Sequence, residues 1–197
     1  MSKAWSVILA GAFLAACTPE APDPTEPFEV PVFSHTANAA DAANGGNFGS
    51  PLSGDEEVPA RPTRARGSAV FQLNAEGDAL TYRLMVANIE NVFQAHIHNA
   101  ATGVNGPIVV WLYPSTAPVA GPLGQGRIDG VIAEGTITAA NFVNTLAGQP
   151  MSVLLGLLSS GTAYVNVHTN DGVAPTNTGP GDFPGGEVRG QVEHRGH

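Results

Sequence analysis

The chain has 197 residues, a formal net charge of −9 and a single cysteine. The acidic balance argues against nucleic-acid binding, which needs a basic footprint. One cysteine excludes an internal disulfide, a cysteine-based zinc finger and an iron–sulfur cluster. The fold must therefore be held by a hydrophobic core, for which the chain is long enough.

Residues 1–17 have the pattern of a lipoprotein export signal. Lys3 supplies a positive start, and residues 4–14 are apolar but too short to span a bilayer as a permanent helix. The segment ends in Leu14-Ala15-Ala16-Cys17, which resembles a bacterial lipobox, in which the cysteine is lipidated. We therefore expect a lipid-anchored extracytoplasmic protein, in the outer membrane of a two-membrane host, facing the periplasm or the cell surface. An ordinary secretory signal with a chance cysteine is the alternative.

A linker is predicted to separate the signal from one folded domain. Residues 18–33 alternate prolines with acidic residues, which favours an extended tether, and residues 34–51 are rich in Ala, Asn and Gly. Beyond Leu52, short alternating apolar runs separated by turn clusters predict an antiparallel β-sandwich. The runs are residues 69–73, 80–86, 92–98, 107–112, 127–137, 162–168 and 187–193. We assign residues 18–51 to the linker, 52–193 to the domain and 194–197 to a polar tail.

One region, at about residues 138–160, is predicted to be a short helical crossover. Thr138 can cap a helix that ends near Gly148, and Pro150 can open a second short helix that ends at Gly161. Because residues 151–158 are almost continuously apolar, a buried strand there is the alternative.

Three histidines in two predicted strands are the strongest functional signal. Side chains alternate faces along a strand, so His96 and His98 share one face while Ala95 and Ile97 point toward the core. In residues 163–169 the same alternation places His168 on the polar face, together with Tyr164 and Asn166. If the two strands adjoin, three imidazoles converge.

Such a group predicts a site for a single transition-metal ion. Neutral imidazole suits copper, zinc, nickel and iron, and we place copper ahead of zinc. Asp171, Glu187 or water can supply a fourth ligand, with Asn166 as an outer partner. The alternative interpretation is that the histidines only complete hydrogen-bond networks and that no metal is bound.

The last predicted strand adds charged residues to the same face. Glu187 and Arg189 are two residues apart, so the alternation allows them to form an ion pair that orients the histidines. The alternative is a solvated strand face on which such a pair contributes little energy.

Several ordered motifs together resemble the CHRD domain, a module named for its repeats in chordin. The match spans about residues 52–193. This resemblance implies an all-β, immunoglobulin-like sandwich and says little about activity. The motifs are Leu52-Ser53-Gly54, Glu57-Val58-Pro59, Ala95-His96-Ile97-His98, Asn105-Gly106-Pro107, Tyr164-Val165-Asn166-Val167-His168-Thr169 and Gly185-Gly186-Glu187-Val188-Arg189-Gly190-Gln191.

The His-x-His strand is also similar to that of copper/zinc superoxide dismutase, another β-sandwich. The bridging histidine, the zinc-loop histidines and the disulfide pair of that family have no counterpart here. The similarity therefore favours one copper site over a dinuclear dismutase centre, and fold likeness alone does not fix activity.

Three functional hypotheses follow. The first is copper handling or buffering outside the cytoplasm, through His96, His98 and His168. The second is a module that binds a protein partner or matrix, with structural histidines. The third is a copper oxidoreductase such as a superoxide dismutase, which ranks last because no second catalytic group is evident.

Overall fold

The computed structural model describes residues 46–116 and 118–195, which form nine strands, three 3-10 helices and one α-helix. The predicted signal, Cys17 and the tether over residues 18–33 lie outside these residues. The strands are β1 (Asn47–Ser53), β2 (Arg66–Leu73), β3 (Ala79–Glu90), β4 (Val92–Asn99), β5 (Ile108–Tyr113), β6 (Arg127–Thr138), β7 (Ala163–Thr169), β8 (Val188–Gln191) and β9 (Glu193–His194). The 3-10 helices are Gly54–Glu56, Ala139–Asn141 and Asn144–Leu146, and the α-helix, α1, is Met151–Ser159. None of these helices has the length and apolarity needed to cross a bilayer.

The strands form one antiparallel sheet in the order β5-β4-β7-β8-β1-β2-β3-β6, with β9 also paired to β1. The two edge strands of the sheet, β5 and β6, approach each other. The Tyr82 hydroxyl on β3, the neighbour of β6, donates a hydrogen bond of 2.8 Å to the carbonyl of Leu112 on β5. A backbone bridge also joins Val110 on β5 to Phe142, in the segment that follows β6. The predicted all-β fold is confirmed, as an antiparallel sheet nearly closed into a barrel or sandwich.

The core lies inside this curved sheet, where alternate residues of neighbouring strands meet in register. Phe48 on β1, Phe71 on β2 and Tyr82 on β3 pair across the sheet and are all buried. Their strand neighbours Gln72 and Thr81 point outward and are exposed. This is the period-two burial that the sequence alternation predicts for a sheet with one solvated face.

The domain begins earlier than predicted. β1 starts at Asn47, inside the segment assigned to the linker, and buries Phe48 and Leu52. Gly49 and Pro51 interrupt the apolar alternation, which hides the strand in the sequence. Ser50 between them is fully buried and donates a hydrogen bond of 2.7 Å to the carbonyl of Gly190.

The crossover contains one α-helix where two were predicted. The first predicted helix is replaced by two 3-10 helices, because Val143 between them extends to donate its backbone N–H to the carbonyl of Val109 on β5. Thr138 does form a capping box with Asn141. The second prediction is confirmed by α1, and the alternative of a strand over residues 151–158 is wrong.

The packing of α1 buries two neighbouring residues to different extents, and this difference can be measured as stability. Leu154 is fully buried whereas Val153 is only partly buried. Leu154→Ala should lower the free energy of unfolding by about 2–5 kcal/mol, because it leaves a cavity in the core. Val153→Ala is the matched control and should cost less than half as much. Urea unfolding measures both values, and equal losses would contradict the helical packing.

Candidate metal centre

The three histidines lie on two adjacent strands of the sheet. β4 pairs with β7 so that His96 is opposite Asn166, His98 is opposite Tyr164, and Gln94 is opposite His168. Cross-strand partners project from the same side of a sheet. The register therefore brings the imidazoles together as the alternation predicts.

This polar face is covered, although it lies opposite the hydrophobic core. Every residue of β7 is buried, so both faces of the strand are shielded from water. His96 is 0% exposed, and His98 and His168 are each 7% exposed. The cover includes Gly106 and Pro184, whose carbonyl groups lie within hydrogen-bond distance of His98 and His168.

Those two carbonyls decide which nitrogen of each ring carries a proton. Nδ1 of His98 lies 2.9 Å from the carbonyl oxygen of Gly106, and Nδ1 of His168 lies 2.9 Å from that of Pro184. A carbonyl only accepts, so both Nδ1 atoms must be donors. In the neutral rings the two Nε2 atoms then carry lone pairs, which is the state that a metal ligand requires.

Nitrogens of the three rings lie close together. One nitrogen from each of the three rings lies within 4.8 Å of the other two, and Nδ1 of His96 is 3.1 Å from Nε2 of His168. Within the described ranges, the buried Nε2 atoms of His96 and His98 have no hydrogen-bond partner. Nitrogens bound to one ion at about 2.0 Å lie within about 4 Å of each other, so ring movements below about 1 Å complete the geometry.

Aromatic side chains surround the imidazoles. The Trp111 ring meets His96 edge-on at 4.3 Å between centroids, and the Phe93 ring meets His168 edge-on at 6.3 Å. Tyr164 stacks on His98 with 4.7 Å between centroids and an 8° interplanar angle. The surroundings of the three nitrogens are thus weakly polar, which strengthens electrostatic interactions inside the site.

Burial keeps the histidines neutral. It lowers the pKa of His96 to about 2 and that of His168 to about 4, and mutual repulsion among the three rings adds to the effect on both. Burial also lowers the pKa of His98, against the opposing influence of its bond to Gly106. At neutral pH all three rings are therefore free bases, able to bind a metal without first losing a proton.

A buried arginine holds the loop that covers His98. The Arg189 guanidinium lies 3.4 Å from the centroid of the Tyr164 ring. It donates hydrogen bonds to the side-chain oxygen of Asn105 at 3.0 Å and to the carbonyl of Val104 at 2.8 Å. Because Gly106 follows directly in this loop, Arg189 helps to place the carbonyl that fixes the His98 tautomer.

The loop approaches β4 so closely that only glycine fits at position 106. A Cβ atom there would lie 2.0 Å from the carbonyl oxygen of Asn99, with no flexible side chain to move away. The Gly106 N–H also donates to the Tyr164 hydroxyl at 3.2 Å. Gly106 thus contacts the site on both sides, through its N–H and its carbonyl.

The other predicted site residues fall into two groups. Asn166 lies at the site, with its side chain 2.9 Å from Nε2 of His168. Arg189 adjoins it through Tyr164. Asp171 accepts a hydrogen bond from the backbone of Val173, and the group of convergent histidines includes neither Asp171 nor Glu187.

The predicted Glu187–Arg189 ion pair does not form. The ion pairs in the described part of the chain are Arg83–Glu134 and Arg127–Asp129, both at the surface. Glu187 is fully buried and accepts hydrogen bonds from the hydroxyl groups of two threonines and one backbone N–H. The donors are Thr63, Thr169 and Gly181.

Sequence reasoning missed Trp111 and the role of the covering loops. Trp111 pairs with His96 across β4 and β5, but a single tryptophan in an apolar run carries no signal of its own. The Asn105-Gly106-Pro107 motif marked the position, while its contact with His98 depends on tertiary structure.

Comparison with family models finds that residues 48–192 match the CHRD domain. The match covers about three quarters of the 197 residues. The chain belongs to the CHRD family. A search among curated proteins finds no match. The three histidines and Arg189 all lie inside the matched CHRD region, which begins within β1 rather than at Leu52.

Buried neutral histidines make the metal-free CHRD domain sensitive to acid. The pKa of His168 is about 4 in the folded protein and about 6.5 in the unfolded chain, so the unfolded state binds more protons between these values. Stability should therefore fall as the pH drops from 6.5 to 4, by about 3 kcal/mol from His168 alone.

The matched variant is His168→Asn, whose amide can still donate to Pro184 but does not titrate. Urea unfolding with a chelator present, at several pH values, should show a weaker acid dependence in the variant. The comparison with the variant is needed because burial raises the pKa of Glu57 to about 7. Protonation of Glu57 therefore favours the folded state as the pH falls from 7 to 4.5, which opposes the effect of His168. Equal dependence in both proteins would contradict the burial of a neutral His168.

Proposed function

We propose that this CHRD domain binds one copper ion through His96, His98 and His168 and serves in copper handling or buffering. The observation that carries the proposal is the pair of buried Nε2 atoms, on His96 and His98, that lack a hydrogen-bond partner among the described residues. Buried polar atoms are nearly always partnered in folded proteins. A bound ion is a partner that such buried nitrogens lack in the protein itself.

A purely structural role for the histidines fits these contacts less well. His98 and His168 do bond to covering loops through Nδ1, as structural histidines would. Nε2 of His168 nevertheless lies 3.1 Å from Nδ1 of His96, and Nε2 of His98 is buried without a partner among the described residues. Neutral His96 can donate its Nδ1–H to Nε2 of His168, yet its own Nε2 and that of His98 stay without a partner among the described residues.

Copper is favoured by the chemistry of the donor set. All three donors are imidazole nitrogens, which suit copper, zinc, nickel and iron. Copper(II) is the most strongly bound divalent ion of the first row at a given site. The copper proposal requires that zinc be held more weakly, and the titration below measures that difference.

Holding an ion suits the site better than turnover. Each histidine is more than nine-tenths buried, whereas catalytic metal sites keep a coordination position open to substrate. We therefore propose buffering or transfer of copper, with a dismutase-like activity as the less favoured alternative.

The site of action that we propose is outside the cytoplasm, at a membrane. The support is the sequence alone: a short apolar segment that ends in Leu14-Ala15-Ala16-Cys17, followed by a proline-rich tether. A lipid on Cys17 would keep a copper-binding domain at the membrane surface, where metal ions enter the cell envelope.

Metal titration of ligand variants tests the proposed site. His98→Asn and His168→Asn each retain an N–H donor for the covering loop but lose the Nε2 ligand. Each should weaken copper binding by more than about 100-fold, beyond the usual effect of losing an outer partner. Elemental analysis and copper(II) EPR of the full chain, with Cys17→Ser to remove the thiol, measure stoichiometry and nitrogen coordination.

The matched control is His194→Gln, which removes a β9 histidine that packs against Phe48 of β1 and is outside the convergent group. It should bind one copper as the parent does. Zinc titrated in the same way should bind more weakly than copper. Folded ligand variants that bind copper as tightly as the control would refute the site.

Lipidation makes a separate prediction about location. Expressed with its own first residues in a two-membrane bacterium, the protein should sediment with membranes and incorporate labelled palmitate. Cys17→Ala should abolish both, because it removes the acceptor thiol, while the neighbouring Thr18→Ala should change neither. Soluble, unlabelled parent protein would instead indicate an ordinary secretory signal.

A further inference from the structure

The group of convergent histidines contains no negatively charged side chain. The convergent group consists of three neutral imidazoles, and no aspartate or glutamate from the described residues belongs to it. Glu187, the nearest candidate in sequence to Arg189, has its carboxylate committed to Thr63, Thr169 and Gly181. An ion bound to the histidines would therefore receive no compensating negative charge from its ligands.

Arg189 adds a fixed positive charge behind one ligand. Its side chain is 2% exposed, and its guanidinium stacks on Tyr164, which in turn stacks on His98. Its hydrogen-bond acceptors, Asn105 and backbone carbonyls of the covering loop, are all uncharged. An arginine stays protonated in proteins, so this charge is permanent.

The positive charge of Arg189 lies close to the histidines. One aromatic ring separates it from the site, with 3.4 Å from the guanidinium to the Tyr164 centroid and 4.7 Å from there to the His98 centroid. Glu57 is the carboxyl group that faces Arg189 and Arg61, and burial raises its pKa to about 7. At neutral pH Glu57 is therefore only partly ionised, and Arg189 has no ion pair with a carboxylate among the described residues.

We infer that Arg189 is a positioning and selectivity residue that makes the three-histidine site prefer monovalent copper(I) to copper(II) and other divalent ions. This inference rests on the proposed function. A buried positive charge repels a divalent ion more than a monovalent one, and weakly polar aromatic neighbours strengthen the difference. The stack on Tyr164 and the bonds to the loop hold that charge at a set distance from His98.

The size of the effect can be bounded. For a charge about 10 Å from the ion, at an effective dielectric constant of about 20, one extra unit of charge changes affinity on the order of tenfold. Reduction of bound copper(II) to copper(I) consumes one electron and changes no protein bond. Losing Arg189 should therefore lower the reduction potential of the bound copper by about 59 mV, the one-electron equivalent of tenfold.

The test compares Arg189→Gln, which removes the charge, with Arg189→Lys, which keeps it. Anaerobic competition with a copper(I) chelator, using ascorbate as the one-electron donor, gives the copper(I) affinity. Competition with glycine in air gives the copper(II) affinity, and the ratio of the two gives the potential. All proteins are full chains that carry Cys17→Ser, so that the single thiol cannot bind copper(I).

The expected result is that the parent binds copper(I) more tightly than copper(II), that Arg189→Gln lowers the ratio about tenfold, and that Arg189→Lys stays within about threefold of the parent. Equal losses in both variants would overturn the inference, because both disturb the loop but only one removes the charge. A parent that prefers copper(II) would also overturn it. That measurement needs no variant, so the inference can be refuted even if Arg189→Gln does not fold.

The two proposals fail in different ways. If the parent binds neither form of copper, the proposed function is refuted, and the inference with it. If copper binds with nitrogen coordination and one-to-one stoichiometry but Arg189→Gln leaves the ratio unchanged, only the role of Arg189 is refuted.

Discussion

The pairing of β4 with β7 is the constraint on which the rest of the molecule depends. Its register fixes His96 and His98 beside His168, and the same register sends Ala95 and Ile97 into the core on the other side. A shift by one residue would move the imidazoles into the core and the aliphatic side chains out of it. Core packing and site geometry are thus enforced together, so the hydrophobic core stabilises the one register in which three nitrogens converge.

The histidines on the covered polar face need hydrogen-bond partners, and the covering loops supply them. Burying an imidazole is unfavourable unless its polar atoms find partners. The carbonyls of Gly106 and Pro184 supply one partner each for His98 and His168, and in doing so they select the tautomer in which Nε2 is unprotonated. Burial further lowers the histidine pKa values. The features that shield the strand from water therefore also prepare the nitrogens to bind a metal.

Alternation along single strands was enough to predict much of this arrangement. It identified β4, β7 and the shared face of the histidines, because side-chain direction in a strand is a local property. It missed β1, where Gly49 and Pro51 break the pattern, and the covering loops, whose contacts depend on distant backbone groups. It also paired Glu187 with Arg189, since strand parity cannot reveal that Thr63 and Thr169 compete for the carboxylate.

Arg189 shows how stability and selectivity come to reside in one side chain. A buried guanidinium needs several acceptors, and the loop carbonyls and Asn105 provide them. Because losing these bonds would leave a buried charge without partners, they hold the loop over the site. The unpartnered Nε2 atoms carry the opposite cost in the metal-free state. An ion that binds only the folded protein removes that cost and stabilises the fold by mass action. Metal binding and folding are then linked through the same strands, and we expect the charge of Arg189 to determine which ion stabilises the fold most.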